Sequence, residues 1–496
     1  MAKYKHILSK SRFIAGKQCA KKLYLGKFNR ELATQITANQ QALFAQGDQV
    51  GAWAIKRFPN GKDATPESFY NYGPSIEKTK EWINDGVEVV YEASFFHDEV
   101  MAALDIFVQR NGQRIAIEVK SSTKVHDYHL DDGALQYWVM NNSGFTPDVF
   151  YLMHINNQYI REGEIDPEQL FYLEDITEQV ILKQNEVAIK LEELKMVLQQ
   201  KKIPNIQIGV HCSDPFDCEF KEHCWKHIPK DSVFDITRIS SKAWEYINKG
   251  IYAIEDIPST DQFSDRQQTQ IDGVKLCTSF IDKKQINNFL SEWKFPLYFF
   301  DFETIGPAIP IYNGTSPYKQ YAVQYSLHLL ENSDSELIHL EYLSSVKQDS
   351  REELIQRMIS DLGYNGSIVT YNMGFKKGKI KQLAEDFPKY KDPLMDILNR
   401  IVDLMIPFSR TWYYTPDMKG SASIKKVLPA LCPNDVELDY NSLRISNGGD
   451  ASNYLKGLAE KSIPLEEVEK IRNDLLAYCR LDTLAMVKIW EVLQQL

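Results

Sequence analysis

A chain of 496 residues with 43% hydrophobic and 12% aromatic side chains has apolar material for two or more cores, which argues against a disordered polypeptide. Its net charge of −11 argues against a passive basic coat for nucleic acid, though not against an enzyme whose carboxylates bind cations. The opening Met-Ala-Lys-Tyr-Lys-His is not apolar and no stretch reaches the roughly 18–20 residues of a membrane span, so a soluble cytoplasmic protein with no membrane partner is expected.

In chain order, helical patterning covers residues 11–58, with Leu43, Phe44, Val50, Trp53, Ala54 and Phe58 near helical spacing. Strands are expected over Val87–Phe95, Val100–Gln109 and Arg114–Lys120, with Asn111-Gly112 as a hairpin turn between the last two. A helix over 131–142, a strand over Asp148–Ile155 and a charge-rich helical stretch over Glu168–Gln200 follow. Residues 236–258 read as two short helices around Gly250-Ile251, either a helix-hairpin-helix grip on phosphates or a plain connector. A second domain opens with the strand Leu297–Phe300, continues through strands at Tyr321–Leu330, Ser335–Tyr342 and Ile368–Tyr371, and ends in a helix over Pro464–Leu496. The expected division is 1–230, a helical linker at 231–295, and 296–496.

Basic residues cluster at Lys10, Arg12, Lys17, Lys21, Lys22 and Lys27, and at Lys376, Lys377, Lys379 and Lys381. Each run is either a solvated helix face or a hold on phosphates. Of the seven cysteines, Cys19 is isolated, Cys212, Cys218 and Cys224 lie close together, and Cys277, Cys432 and Cys479 are scattered as small hydrophobes.

Two stretches carry acids suited to phosphodiester hydrolysis. In the first, Glu118 and Lys120 share one face of a strand, and Asp105 comes from the preceding strand across the hairpin. Two acids would hold a divalent cation, and the lysine would position water or offset charge on the phosphate. A solvent-facing Glu-Val-Lys is the plainer alternative. Here the chain resembles the RecB-type branch of the PD-(D/E)XK nucleases and their CRISPR-associated relatives. Ser9-Lys10-Ser11-Arg12-Phe13, Gly16-Lys17-Gln18-Cys19 and Leu23-Tyr24-Leu25 are similar to their N-terminal motif. Gln136 matches the glutamine that follows the catalytic lysine. The resemblance implies a [4Fe–4S] cluster on Cys19, Cys212, Cys218 and Cys224, and Mg²⁺ or Mn²⁺ on Asp105, Glu118 and the Val119 carbonyl. Phe44-Ala45-Gln46-Gly47-Asp48 lacks the histidine ligand that several relatives supply. Four thiolates suit an iron–sulfur cluster, and a structural zinc using His211 or His223 is the competing reading.

In the second stretch, Asp301 and Glu303 face one way along a strand, while Tyr478 and Asp482 share a helix face. Converging acids of this kind suit two cations about 4 Å apart. The pairing resembles the tyrosine subclass of the DEDD exonucleases, which have an RNase H-like fold. Residues 297–496 also resemble a little-characterised bacterial domain found behind RecB-type nucleases, at Tyr318–His328, Tyr371-Asn372 and Gly420–Pro429. The family's Asn-x2-Phe-(Asp/Glu) aligns with Asn372-Met-Gly-Phe375-Lys376, so a lysine stands where an acid is expected. Asp403 is a candidate for the missing carboxylate, a single weakly held ion is another outcome, and loss of catalysis a third.

The expected fold class is therefore α/β, a PD-(D/E)XK restriction-endonuclease-like domain followed by an RNase H-like DEDD exonuclease domain. The expected function is metal-dependent cutting of DNA, on single strands or ends, in repair, recombination or defence against mobile DNA. A catalytically silent nucleic-acid scaffold and an RNA-processing exonuclease are the alternatives.

Overall fold

The computed structural model of the chain describes residues 4–68, 71–345, 348–433, 435, 438, 440 and 443–496. It is mixed α/β and divides into two compact units, Met1–His227 with Ala308–Tyr318, and Ile228–Pro307 with Lys319–Leu496. The expected linker at 231–295 thus belongs to the second unit, and residues 308–318 return to the first. Among the described residues, no helix is long and apolar enough to cross a membrane.

The first unit is built on a seven-stranded sheet: β1 (Leu8–Ser9), β2 (Lys62–Asp63), β3 (Val89–His97), β4 (Val100–Arg110), β5 (Gln113–Lys120), β6 (Val149–Ile155) and β7 (Phe171–Asp175). Strands β3, β4 and β5 form an antiparallel meander, closed by Asn111 and Gly112 with φ of 53° and 80°, the left-handed pair that a two-residue hairpin requires. β5 and β6 run parallel, so a crossover must join them. The helix Asp127–Asn142 makes that connection, burying Ala134, Leu135, Val139 and Met140 with Phe107, Ala116 and Phe150.

Two expectations change here. The helical span 11–58 is three α-helices, Lys10–Gln18, Ala20–Phe28 and Ala38–Arg57, interrupted by extended Cys19 and restarted by a Thr37–Gln40 capping box. Within 168–200, Phe171–Asp175 is an edge strand antiparallel to β6. Phe171 is buried and Tyr172 exposed, an alternation hidden by the surrounding charged residues.

The pairing along β4 is what positions the first site. Residues 106–110 pair with β5, and Val100 and Met101 pair with β1, which leaves the β4 edge open at residues 102–105. Opposite, the β3 ladder skips Glu92, whose φ is 50°. Val100, Ala102 and Leu104 share a core with Phe107, while Ile106 and Val108 face the other core. The strand therefore changes face at Asp105 with its register to β3 kept, because Tyr91 pairs with Ile106 and Ala93 with Leu104.

In the second unit, β9 (Leu297–Ile305) is central to a five-stranded sheet with β10 (Tyr321–Leu330), β11 (Ile338–Leu343), β12 (Ser367–Thr370) and β13 (Ile401–Asp403), in the order β11-β10-β9-β12-β13. A small β8 (Phe280–Ile281) pairs with β14 (Tyr413–Tyr414). One face of the sheet packs Tyr298, Phe300 and Phe302 on helices Arg351–Leu362, Met373–Asp386 and Lys391–Arg400. On the other face Phe299 meets Trp490 of the helix Leu465–Gln494, with ring centroids 5.8 Å apart. Strand alternation carries Asp301 and Glu303 to that same face. Within 236–258 only Ser241–Asn248 is helical; Ala253 instead bridges Ser232, so a helix-hairpin-helix does not form.

Gly366 sits at φ 81°, and a Cβ there would lie 2.0 Å from the Pro296 carbonyl oxygen. Gly366→Ala is expected to destabilise the second unit by about 2 kcal/mol or more, from the left-handed backbone and the backbone clash together. Urea denaturation checks this.

A buried polar group also marks this unit. The Thr483 hydroxyl lies 2.8 Å from both Ser326 Oγ and His328 Nδ1, and Ser326 Oγ lies 3.0 Å from His339 Nε2. Burial, with the Arg480 guanidinium adding to it, lowers His328 to about 3 and His339 to about 4. Both rings are neutral when folded and take up protons near 6.5 when unfolded. Their contribution to stability is present above pH 6.5 and is lost as pH falls toward 4 and 3, by up to about 1.4 kcal/mol per pH unit for each ring. Thermal melts across that range should show this slope, flattened in His328→Gln.

Candidate active sites

In the first unit, the open edge of β4 is filled by a lysine from the first helix. Lys10 Nζ donates to the Ala103 carbonyl (3.1 Å) and to Glu118 Oε1 (2.7 Å). Lys120 Nζ donates to the same Glu118 Oε1 and to Asp132 Oδ2, each at 2.7 Å. Where β5 leaves β4, the Val119 N–H donates to Asp105 Oδ2 (2.6 Å). The side chain of Asp105 thus replaces a ladder bond and is held against Glu118. Asp105, Glu118 and Lys120, expected as one site, are together.

The electrostatics follow from three acids and two ammonium groups in little water. Burial and the Glu118 charge raise the Asp105 carboxyl well above its usual range. Burial would raise Glu118 too, but Lys10 and Lys120 hold it well below. His129 is lowered to about 3 by burial and Lys120, so it stays neutral.

Four buried polar atoms beside this group have no hydrogen-bond partner among the described residues: Glu118 Oε2, Asp132 Oδ1 and both amide atoms of Gln136. These residues are 1%, 7% and 0% exposed. Leaving such atoms unpaired costs about 1–3 kcal/mol each, so each calls for a partner that the described side chains do not supply. An oxygen-seeking divalent cation and its water fit this donor set. For Val119 the structure places the N–H on Asp105, and the residue sits opposite Met153 in the β5–β6 pairing.

Lys10 and Asp132 join the site without having been singled out for it, and Glu92 lies within electrostatic reach of Lys10 and Glu118. Lys10 lay in a motif whose role the spacing did not reveal. Asp132 stands four residues before Gln136, one helical turn, which is the signal that could have found it.

Elsewhere in this unit, Cys19, Cys212, Cys218 and Cys224 line one pocket, with Lys21, Lys22 and His211. Gln18 Nε2 donates to the carbonyls of His211 (2.8 Å) and Phe216 (2.6 Å), and the Cys218 N–H donates to the Cys212 carbonyl (2.9 Å). These bonds bring the cysteine-bearing loop to the first helix. Burial raises the Cys218 thiol to about 11 and raises Cys224 as well. His223 Nδ1 is buried without a partner among the described residues. Across the described residues, no three His, Cys, Asp or Glu side chains are already closed to ion-ligating arrangement, so the thiols are gathered rather than drawn in. The donor set fits a cysteine-ligated cluster, with zinc on cysteines and a histidine as the other fit. Either would fasten the first helices to the loop after residue 210.

In the second unit, Asp482 Oδ1 accepts from Tyr440 Oη (2.6 Å), and Tyr478 lies within electrostatic reach of the same carboxylate. A Cβ placed on Gly448 would lie 3.9 Å from both Glu303 Oε2 and Tyr478 Oη, so Glu303, Tyr478 and Asp482 are brought together. Burial and the Asp482 charge raise Glu303 to about 8, against the pull of Lys425. Tyr440 and Lys425 enter this group without having been given a role. Cys479, expected as a small hydrophobe, is fully buried.

Two residues behave differently from expectation. Asp301 is paired with Lys376, whose Nζ also donates to the Phe302 carbonyl (3.0 Å). Burial lowers Lys376 to about 8. Asp403 does not supply the missing carboxylate, because it accepts from the N–H groups of Asn372 (3.0 Å), Met373 (3.1 Å) and Met405 (3.0 Å). It serves the start of the Met373–Asp386 helix instead, where orphan amides require an acceptor.

Residues 298–423 match the family described as a domain of unknown function (DUF2779). The match includes Asp301, Glu303 and Lys376 and stops before Tyr478 and Asp482. The chain is also similar to "Uncharacterized protein UU173" of Ureaplasma parvum serovar 3, 22% identical over 75% of this chain and 53% of that protein. "Uncharacterized protein MG366 homolog" of Mycoplasma pneumoniae is 22% identical over 68% of this chain and 58% of that one. The chain spans little more than half the length of these two relatives.

Proposed function

We propose that the chain is a metal-dependent nuclease that cuts DNA, on single strands or at ends, with its chemistry in the first unit. The observation that carries this reading is the group of Asp105, Glu118, Lys120 and Asp132, with buried carboxylate and amide atoms left unpartnered beside it. Asp105 and Glu118 would hold Mg²⁺ or Mn²⁺, and the ion would polarise the phosphate and lower the pKa of bound water. Lys120 would orient that water or offset charge on the phosphate. Lys10, a helix-borne ammonium on Glu118, keeps the acid ionised before the ion arrives. A cluster or zinc on the four cysteines would keep the helix that bears Lys10 in place. Repair, recombination and defence against mobile DNA are settings consistent with such an activity.

The second unit supports two readings. Glu303, Tyr478 and Asp482 favour a second phosphodiester site that trims 3′ ends, whereas the Lys376–Asp301 pair favours a unit that holds a strand without cutting it.

Cleavage of matched DNA and RNA, single- and double-stranded, with Mg²⁺, Mn²⁺ or chelator tests the proposal. Metal-dependent cutting of DNA that survives Asp301→Ala is expected. Cutting of RNA alone would move the reading to RNA processing, and strand binding with no cutting on any substrate would make the protein a scaffold.

A further inference from the structure

The acidic group of the second unit contains a positive charge that the protein itself supplies. Lys376 stands in the first turn of the Met373–Asp386 helix and is 8% exposed. Its ammonium pairs with Asp301 Oδ1, donates to the Phe302 carbonyl at 3.0 Å and lies 4.5 Å from the Phe302 ring centroid. Asp482 lies within its electrostatic reach from the long helix. Three contacts hold the charge beside Asp301, while Glu303 and Tyr478 meet near Gly448 and Asp482 lies close to both.

A buried ammonium in this position competes with any divalent ion that would use Asp301. Two positive charges a few ångströms apart in a poorly hydrated site repel strongly, and removing the lysine would leave Asp301 uncompensated. Lysine also binds phosphate as a compact point charge. On the reading of this unit as a phosphodiester site, we propose that Lys376 is a built-in cation that takes the place of a second divalent ion. The group then accepts one divalent ion at most, on Glu303 and Asp482, and the phosphate charge on the Asp301 side is met by the lysine.

Mn²⁺ binding followed by electron paramagnetic resonance on the full chain tests this. Ions bound by the first unit are common to every variant and cancel. Lys376→Asp is expected to bind one more Mn²⁺ per chain than the wild type, and Glu303→Gln to remove no more than one from the wild type. Lys376→Met, which removes the charge without adding a ligand, should tighten the weakest Mn²⁺ site by about tenfold or more. Equal stoichiometry in Lys376→Asp and wild type, or a wild type that loses two ions with Glu303→Gln, would overturn the proposal. If Glu303→Gln removes no ion and neither Lys376 variant gains one, the phosphodiester reading of the second unit fails as well, and the two failures are thereby told apart. Melting curves with and without Mn²⁺ verify that each variant is folded, because an ion bound only by the folded state raises the midpoint.

Discussion

Lys120→Ala is expected to lower metal-dependent DNA cleavage by about a hundred- to a thousandfold, the usual cost of removing one preorganised charge from a hydrolytic site. The ammonium of Lys120 sits between Glu118 Oε1 and Asp132 Oδ2, 2.7 Å from each, beside the unpartnered oxygens of both residues. Because Lys10 also holds Glu118 at 2.7 Å, the variant retains one counter-charge on that acid and should remain folded. Glu118→Gln provides the contrast. It preserves shape but removes the ionised oxygen, so it should lose Mn²⁺ binding itself, whereas Lys120→Ala should keep binding and lose rate. If Lys120→Ala cuts at the wild-type rate, the catalytic assignment fails. Equal loss of folding in both variants, seen by circular dichroism, would reduce the group to a structural ion network.

The second large effect is expected at the cysteine pocket. Cys218→Ser should abolish bound iron and sulfide in protein purified without oxygen, and lower the melting midpoint of the first unit. Cys19 and Cys218 are far apart in the chain yet line one pocket. A centre joining them would close a very long loop, worth on the order of 4–5 kcal/mol by loop entropy, or about 10 °C in a unit of this size. Burial raises the Cys218 thiol to about 11 and raises Cys224 as well, so loading a ligand onto these two releases protons and weakens as pH falls. One equivalent of zinc in place of iron and sulfide would select the zinc site. Protein containing neither, with an unchanged melt in Cys218→Ser, would make the four cysteines ordinary packing residues.

Much of this architecture was legible where periodicity and turn chemistry agree. The β3–β4–β5 meander follows from alternation and Asn111-Gly112, and Tyr321–Leu330 forms the expected strand. Asp301 and Glu303 share a face because a strand has a period of two, and Tyr478 and Asp482 because a helix places i and i+4 together. What escaped was set by tertiary context. Cys19 breaks a helical pattern, with no glycine or proline to announce it. Lys10 reaches Glu118 only because β1 pairs with β4 and brings the following helix to its edge. Asp403 read as a free carboxylate, but helix-start amides claim it. Glu92 was invisible because the face change at Asp105 is a property of two strands in register.

Anomalous diffraction from crystals soaked in Mn²⁺ tests the central claim most directly. A peak bounded by the Asp105 and Glu118 carboxylates, with Lys10 or Lys120 displaced from Glu118, is the expected result. Ordered protein with both lysines still on Glu118, and no peak there at saturating Mn²⁺, would contradict it.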